Sequence, residues 1–416
     1  MLEVCLLTRG SPESLTGGHL YQRMMADAAS AHDASIWFVQ AGLWNRGLDA
    51  FDVVVVDSIT AWRLAPHTIR VSHAIRVSDS RQARRPHSDG VKHSDGPPLV
   101  AVVHQPPGGV DRRALQRALD RFVYARCDTV IATSRSLGDE LVHEHGLDRA
   151  RVRVVEPGCD LPPGMPGADL RQGHRLAVLC VGNWLPHKGV LELIEATARL
   201  PADAAIVHLA GRDDVDDAYS RRVRERLAAD DLAERVVVHG AVDRRAVADL
   251  YAAADVFVLP STVETYGMAF AEALHAGLPT LGWRTGNLPN LITDGVEGCL
   301  VTTGDVAALS DVLRRLADDP VWREQLASAA RRRGAALPTW ADATSAFFGT
   351  LRESVTGAVE PADDRAGVVD VDAADAGVLD VHPPADADRD AERPGERGLD
   401  RADVRDDDGD GRAGER

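Results

Sequence analysis

Val256-Phe257-Val258-Leu259-Pro260 runs directly into Ser261-Thr262-Val263-Glu264-Thr265-Tyr266-Gly267-Met268-Ala269-Phe270-Ala271-Glu272-Ala273-Leu274-His275-Ala276-Gly277-Leu278-Pro279. A continuous apolar run, a polar loop, a helical pattern and a glycine stop before the next apolar run make a strand–loop–helix–strand unit. A short strand with no polar alternation is buried on both faces, as in a parallel sheet covered by helices. The unit recurs. Apolar runs near 3–8, 34–39, 53–57, 99–104, 128–132 and 151–156 predict strands, and helical patterns fall near 19–31, 111–125 and 135–145. A second set of strands is predicted near 175–182, 204–210, 235–239, 255–260, 279–283 and 299–302, with helices near 189–200, 216–229, 243–253, 267–276, 305–318 and 320–333. This alternation predicts an α/β protein of two doubly wound, Rossmann-like domains.

The Pro/Gly-rich stretch from Glu156 to Pro166 reads as the linker between them, giving domains over 1–163 and 164–338. Ser134, Asp243, Asp305 and Asp319 (before Pro320) are candidate N-caps, and Gly277 and Gly334 candidate left-handed helix ends. Residues 77–98 read as a long mobile surface loop. The stretch 356–416 is rich in Ala, Asp, Arg, Gly and Pro, with too little apolar content to order itself, and is expected to be a disordered acidic tail.

The chain carries a net charge of −17. Residues 361–416 hold 18 acidic and 8 basic side chains, a net of −10, so the other 360 residues carry about −7. A mildly acidic folded part argues against nucleic acid as a partner. Cys5, Cys127, Cys159, Cys180 and Cys299 show no C-x-x-C spacing and read as reduced core residues. No stretch has the roughly 18 apolar residues of a membrane span. Met1 to Leu7 enters a strand without signal-peptide layout, so a cytoplasmic location is expected.

Four places carry chemistry. Glu264 falls in a loop after a strand and Glu272 in the second turn of the following helix, whose start near Gly267 offers free N–H groups to an anion. Two acids near a helix start are also ordinary dipole partners. Lys188, in Gly182-Asn183-Trp184-Leu185-Pro186-His187-Lys188-Gly189, is one of two lysines in a chain with 45 arginines. A compact ammonium between a strand and a helix suits phosphate. The other, Lys92, falls in the predicted mobile loop. His104 ends an apolar strand, where a side chain points into the cleft of a parallel sheet, and Gly17-Gly18 allow close backbone approach after the first strand. His187 and His275 read as bystanders.

The segment 261–298 resembles the Glu-x7-Glu signature of family 4 glycosyltransferases, retaining enzymes of the GT-B fold. The match runs through Gly267, Glu272-Ala273-Leu274, Gly277-Leu278-Pro279, Gly286 and Asp294-Gly295-Val296-Glu297-Gly298. The resemblance implies that Glu264 contacts the donor sugar and Glu272 the nucleotide ribose. Backbone amides around Tyr266, Gly267 and Met268 would face the sugar and diphosphate. The Lys188 segment resembles the family's Gly-x5-Lys-Gly phosphate loop, so Lys188 would neutralise the leaving diphosphate. The Arg that the family often places after the first Gly is Asn183 here, and Arg212 is a candidate replacement. Gly17-Gly18 resemble the family's cleft-lining glycine loop, and His104 a histidine near the transferred sugar.

The resemblance also implies no cofactor and no essential metal, so Asp213-Asp214-Val215-Asp216-Asp217 reads as a solvated loop and helix cap. Arg112, Arg113, Arg117 and Arg121 with Leu115, Leu119 and Phe122 could form a basic amphipathic face for peripheral membrane contact and a lipid-linked acceptor, or an ordinary surface helix. Trp340 to Arg352 resembles the family's final helix, giving 339–355 as a segment crossing back to the first domain. The expected activity is transfer of a hexose-type sugar from a nucleoside diphosphate sugar to a hydroxyl of a glycan, glycolipid or small molecule. The alternatives are a nucleotide-sugar epimerase on the same fold and an inactive sugar-binding scaffold.

Overall fold

The computed structural model describes residues 1–8, 17–40, 48–65, 96–111, 113–165, 167 and 169–357. Most of the expected loop at 77–98, Lys92, Arg112 and the tail from 358 onward lie outside these residues.

Among the described residues, twelve strands appear where apolar runs predict them. Strands β1 (Leu2–Thr8), β2 (Ala34–Gln40), β3 (Val53–Asp57), β4 (Leu99–Val103), β5 (Thr129–Ala132) and β6 (Val152–Val154) form one parallel sheet in the order β2-β1-β3-β4-β5-β6. Strands β7 (Leu176–Val181), β8 (Ala205–Ala210), β9 (Val236–Gly240), β10 (Val256–Leu259), β11 (Thr280–Trp283) and β12 (Gly298–Val301) form the second, in the order β12-β11-β10-β7-β8-β9.

The side-chain period of two divides the first core. Val53 and Val55 join Val4, Leu6, Val100 and Val102 on one face, and Val54 and Val56 join Cys5, Leu7, Ala101 and Val103 on the other. Both faces are therefore covered, which is why these strands read as unbroken apolar runs. All five cysteines are free and buried.

The helices among the described residues include α1 (Gly17–Ala28), α2 (Ala114–Tyr124), α3 (Arg135–His143), α4 (Val190–Ala198), α5 (Asp217–Leu227), α6 (Arg244–Ala253), α7 (Met268–His275), α8 (Leu288–Leu291), α9 (Val306–Asp318), α10 (Pro320–Ala335) and α11 (Trp340–Thr356). Ser134, Asp243, Asp305 and Asp319 each accept a backbone N–H three residues on, as caps do. Gly277 is left-handed, with φ +81°.

Gly334 departs from expectation. It lies inside α10, and its missing side chain lets the helix pack on the Leu274 carbonyl, which a Cβ would approach to 2.2 Å. Close packing placed that glycine, and a helix end did not. The single turn α8 is too short to show a periodicity, so the sequence pattern passes over it. The start of α2 falls at Ala114, later than predicted, after Gly108 and Gly109 in left-handed conformations that no helix continues through.

In each sheet the strand order reverses, between β1 and β3 and between β7 and β10. Connections leave such a point in opposite directions, so a crevice opens at the carboxyl ends of those strands. The loop after β7 carries Lys188 and the loop after β10 carries Glu264. Helix α11 returns to the first sheet and buries Trp340, Phe347, Phe348 and Leu351 against it. Among the described residues no helix is long and apolar enough to cross a membrane.

Phe348 is fully buried in that contact. Phe348→Ala is expected to lower the unfolding free energy by about 3–5 kcal/mol, read from urea denaturation. An unchanged midpoint would show that α11 does not hold the first domain.

Candidate functional site

A cleft of about 560 Å³ opens between the two sheets, and every candidate residue lines it: Gly17, Gly18, His104, Asn183, Lys188, Arg212, Glu264, Tyr266, Gly267, Met268 and Glu272. The sheets bring together residues that are up to 255 positions apart in the chain (Gly17 and Glu272).

Lys188 Nζ donates to Glu264 Oε1 at 2.6 Å. Glu264 is buried, and Lys188 is about a quarter exposed. Two local features place this pair. Gly189 turns left-handed (φ +70°) directly after Lys188, and a Cβ there would stand 2.0 Å from the Pro260 carbonyl oxygen, so only glycine lets the loops lie this close. The Ser261 hydroxyl and the Thr262 N–H both donate to the His187 carbonyl, at 2.9 and 2.8 Å, stitching the two loops together. His187, read as a bystander, lines the cleft, and burial pushes its imidazole below the usual value.

Gly267 precedes α7 in a left-handed conformation, with φ +95° and no side chain capping the helix. The first N–H groups of the helix therefore have no partner from the cap and face the cleft that Gly267 and Met268 line. The Tyr266 side chain is buried in the second core, its hydroxyl without a partner among the described residues. Only the backbone of Tyr266 is thus placed to meet a ligand. Met268 packs against both cores and would be 3.1 Å from a Cβ on Gly17, so it spans the cleft.

One turn into α7, Glu272 is nearly buried. Burial raises its carboxyl to about 7, offset in part by Arg244 and by the Tyr251 hydroxyl. Arg244 Nη1 stands 3.7 Å from Oε1, and the Tyr251 hydroxyl donates to Oε2 at 3.5 Å. These are long contacts, so the carboxylate retains unused acceptor capacity. A vicinal diol could fill it.

The Asn183 side chain ties two loops together by accepting the Arg212 N–H at 3.0 Å. The Arg212 guanidinium forks onto Asp214, at 2.8 Å from Nε, and its side chain is 45% exposed. As a replacement cation it would first have to leave Asp214. The Asp run behaves as a loop and cap: Asp213 pairs with Arg224, Asp214 with Arg212, and Asp216 caps α5. On the first-domain wall His104 is nearly buried, and Arg23 and Thr133 join it in the cleft lining. Sequence reading missed Arg244, Tyr251 and Arg23, and also Asp57, which does not line the cleft but stands with Oδ2 3.2 Å from His104 Nε2. Asp57 ends β3 as His104 follows β4, so the strand-end rule applied to His104 would have found it.

Two family models match: Glycosyl transferases group 1 over residues 168–333 and Glycosyltransferase Family 4 over residues 80–162, together more than half of the chain. Among curated proteins, the D-inositol 3-phosphate glycosyltransferase of Xylanimonas cellulosilytica is 35% identical over 257 residues, 56% of this chain and 61% of that protein. The protein of the same name from Geodermatophilus obscurus is 33% identical over 232 residues, 52% of this chain and 51% of that protein. The chain thus spans between half and two thirds of the length of these relatives. Sucrose-phosphate synthase of Thermosynechococcus elongatus has a similar fold, with TM-score 0.69 and 18% identity over 86% of this chain and all of that one. So does Anabaena Alr3699/HepE, solved with UDP and glucose, with TM-score 0.67 and 17% identity over 85% of this chain and all of that one.

The raised Glu272 carboxyl has a stability consequence. Between its ordinary value of 4.5 and about 7, the folded protein holds a proton that the unfolded chain has released. Stability contributed by this group therefore falls as pH rises through that window, and the loss is complete above it. Glu272→Gln is expected to raise the melting temperature relative to wild type above pH 7, and to lose that advantage below pH 4.5. A constant difference across pH would contradict the assignment.

Proposed function

Because this chain belongs to the family 4 glycosyltransferases of GT-B architecture, we propose that it moves a sugar from a nucleoside diphosphate sugar to an acceptor hydroxyl, with anomeric configuration retained. The observation that carries this is Lys188 Nζ held 2.6 Å from Glu264 Oε1, beside the uncapped start of α7.

As the bond to the sugar breaks, negative charge develops on the leaving diphosphate. A fixed ammonium and aligned N–H groups stabilise that charge without reorganising, which is the largest catalytic contribution expected here. Glu264 accepts hydroxyls of the transferred sugar while Lys188 keeps its carboxylate aimed. Glu272 accepts the two ribose hydroxyls. The acceptor hydroxyl enters on the face the diphosphate leaves, its oxygen bonding to the sugar as the sugar–phosphate bond breaks and its proton passing to the departing phosphate oxygen. Closure of the two domains excludes the water that would otherwise hydrolyse the donor. Neutralisation is assigned to Lys188 and α7, so no metal ion and no cofactor enter the proposal.

Uridine is the base we favour, because structures with this fold hold UDP, UDP and glucose, or UDP-glucose. A phosphorylated polyol is the acceptor we favour, since the curated relatives are named for inositol 3-phosphate. Arg23 brings a cation to the first-domain wall, where an acceptor would enter. A lipid-borne acceptor is the second reading, supported by Leu115, 75% exposed between Arg113 and Arg121 on α2.

A mass-spectrometric screen of UDP, GDP and ADP sugars, with inositol 3-phosphate or anionic vesicles as acceptor arms, tests the proposal. Donor consumption in none of them, with no nucleotide bound, would sink it. Lys188→Ala is expected to cut turnover by at least about 100-fold. Glu264→Gln is expected to bind UDP at least as tightly as wild type in calorimetry, because the ammonium is released, while sugar transfer falls. Ribose hydroxyls donate to the ionised carboxylate, so UDP affinity should rise as pH passes upward through about 7, and Glu272→Gln should flatten that rise.

A further inference from the structure

Asp57 ends β3 and is 1% exposed, yet none of the roles above uses it. A buried carboxylate persists only where donors meet it. Ile59 N–H donates to Oδ1 at 2.6 Å. Gln22 Nε2 donates to Oδ2, and Gln22 Oε1 accepts the Thr8 hydroxyl at 3.3 Å. The remaining neighbour is His104, whose Nε2 lies 3.2 Å from Oδ2. The N–H direction misses the oxygen, so the contact has ion-pair distance without an aligned hydrogen bond, and Nε2 is otherwise buried without a partner.

Electrostatics chooses the tautomer at that contact. A bare Nε2 lone pair against a buried carboxylate is repelled, whereas Nε2–H is attracted, and low polarity around them enlarges the difference. The proton therefore sits on Nε2, and Nδ1 keeps its lone pair. The ring itself has little room to turn. Its centroid is 5.0 Å from that of Tyr21 in an edge-on contact. The backbone N–H of His104 donates to the Ser58 hydroxyl oxygen at 3.0 Å, which fixes the main chain that carries the ring. Gly18 lies so close that a Cβ on it would be 3.5 Å from the imidazole Cγ and Cδ2.

We propose that Asp57 is a positioning residue for His104: it holds the Nε2–H tautomer and so presents Nδ1 to the cleft as an acceptor for a hydroxyl of the transferred sugar. This rests on the donor reading above. Asp57 itself touches no substrate. Its effect is to make His104 an acceptor only, in a wall where an imidazole free to change tautomer could either donate or accept.

Ring ¹⁵N NMR of the free wild-type protein, with His104 assigned by its loss in His104→Ala, reads the tautomer without any turnover. The Nε2–H form is expected, and the Nδ1–H form would overturn the proposal. In Asp57→Asn the amide oxygen stays on Ile59 N–H, and its NH₂ faces His104. The ring should then move toward Nδ1–H, and turnover should fall by roughly 10- to 100-fold, the scale for partners that orient a functional histidine. UDP affinity should hold, because the nucleotide lies on the other domain. Combined with His104→Ala, Asp57→Asn should add no further loss of turnover. A tautomer unmoved by Asp57→Asn, or an additive loss in the double variant, would overturn the proposal. Wild-type protein that binds no UDP would instead sink the donor reading, while the His104 tautomer would still report whether Asp57 sets the ring.

Discussion

The donor side of the cleft depends on one ion pair. Lys188 and Glu264 lie 76 positions apart, on loops that leave adjacent parallel strands at the point where the order of the second sheet reverses. Each charge alone would be costly to hold in a partly dry cleft; together at 2.6 Å they offset much of that cost. The pair also joins two tasks. In the proposed reaction the ammonium meets the leaving group and the carboxylate the sugar, and because the two are bonded to each other a ligand that engages one alters what the other sees. Gly189 against the Pro260 carbonyl keeps the loops near enough for this contact.

Glu272 shows the opposite arrangement eight residues further on. Its nearest cation is 3.7 Å away, and burial dominates, holding its carboxyl at about 7. Two carboxylates of one motif thus reach different states through their surroundings: one is matched by an ammonium, the other has only long contacts. Perturbed groups of this kind gather at functional sites, and Glu272 lines the cleft.

The other wall of the cleft is built on a buried hydrogen-bonded carboxylate. Asp57, Gln22 and Thr8 form a buried polar chain under His104, and the glycine pair at the start of α1 leaves space against His104 and Met268. Met268 touches both cores, and α11 carries Trp340, Phe347 and Phe348 back to the first sheet. The two walls of the cleft are therefore tied by a side chain within it and a helix behind it.

Strand positions, helix caps and the motif residues were legible in the chain itself, because period, capping chemistry and glycine placement are local properties of a few neighbouring residues. They led from the Val256 strand to two parallel sheets, and the resemblance of two segments to one family's motifs joined Lys188, Glu264 and Glu272 as one group. Other features needed the fold. Gly334 reads as a helix end locally, yet a carbonyl of α7 pressing on it explains the glycine. Arg212 reads as a spare cation, yet Asp214 engages it. Asp57 reads as the polar end of one strand, and only the neighbouring β4 puts His104 against it. The sequence by itself determined which residues form each strand, loop and helix and which side chains could bear charge. The tertiary structure decided which of those charges meet, because ion pairing and desolvation depend on distances of a few ångströms between segments whose proximity is set by strand order.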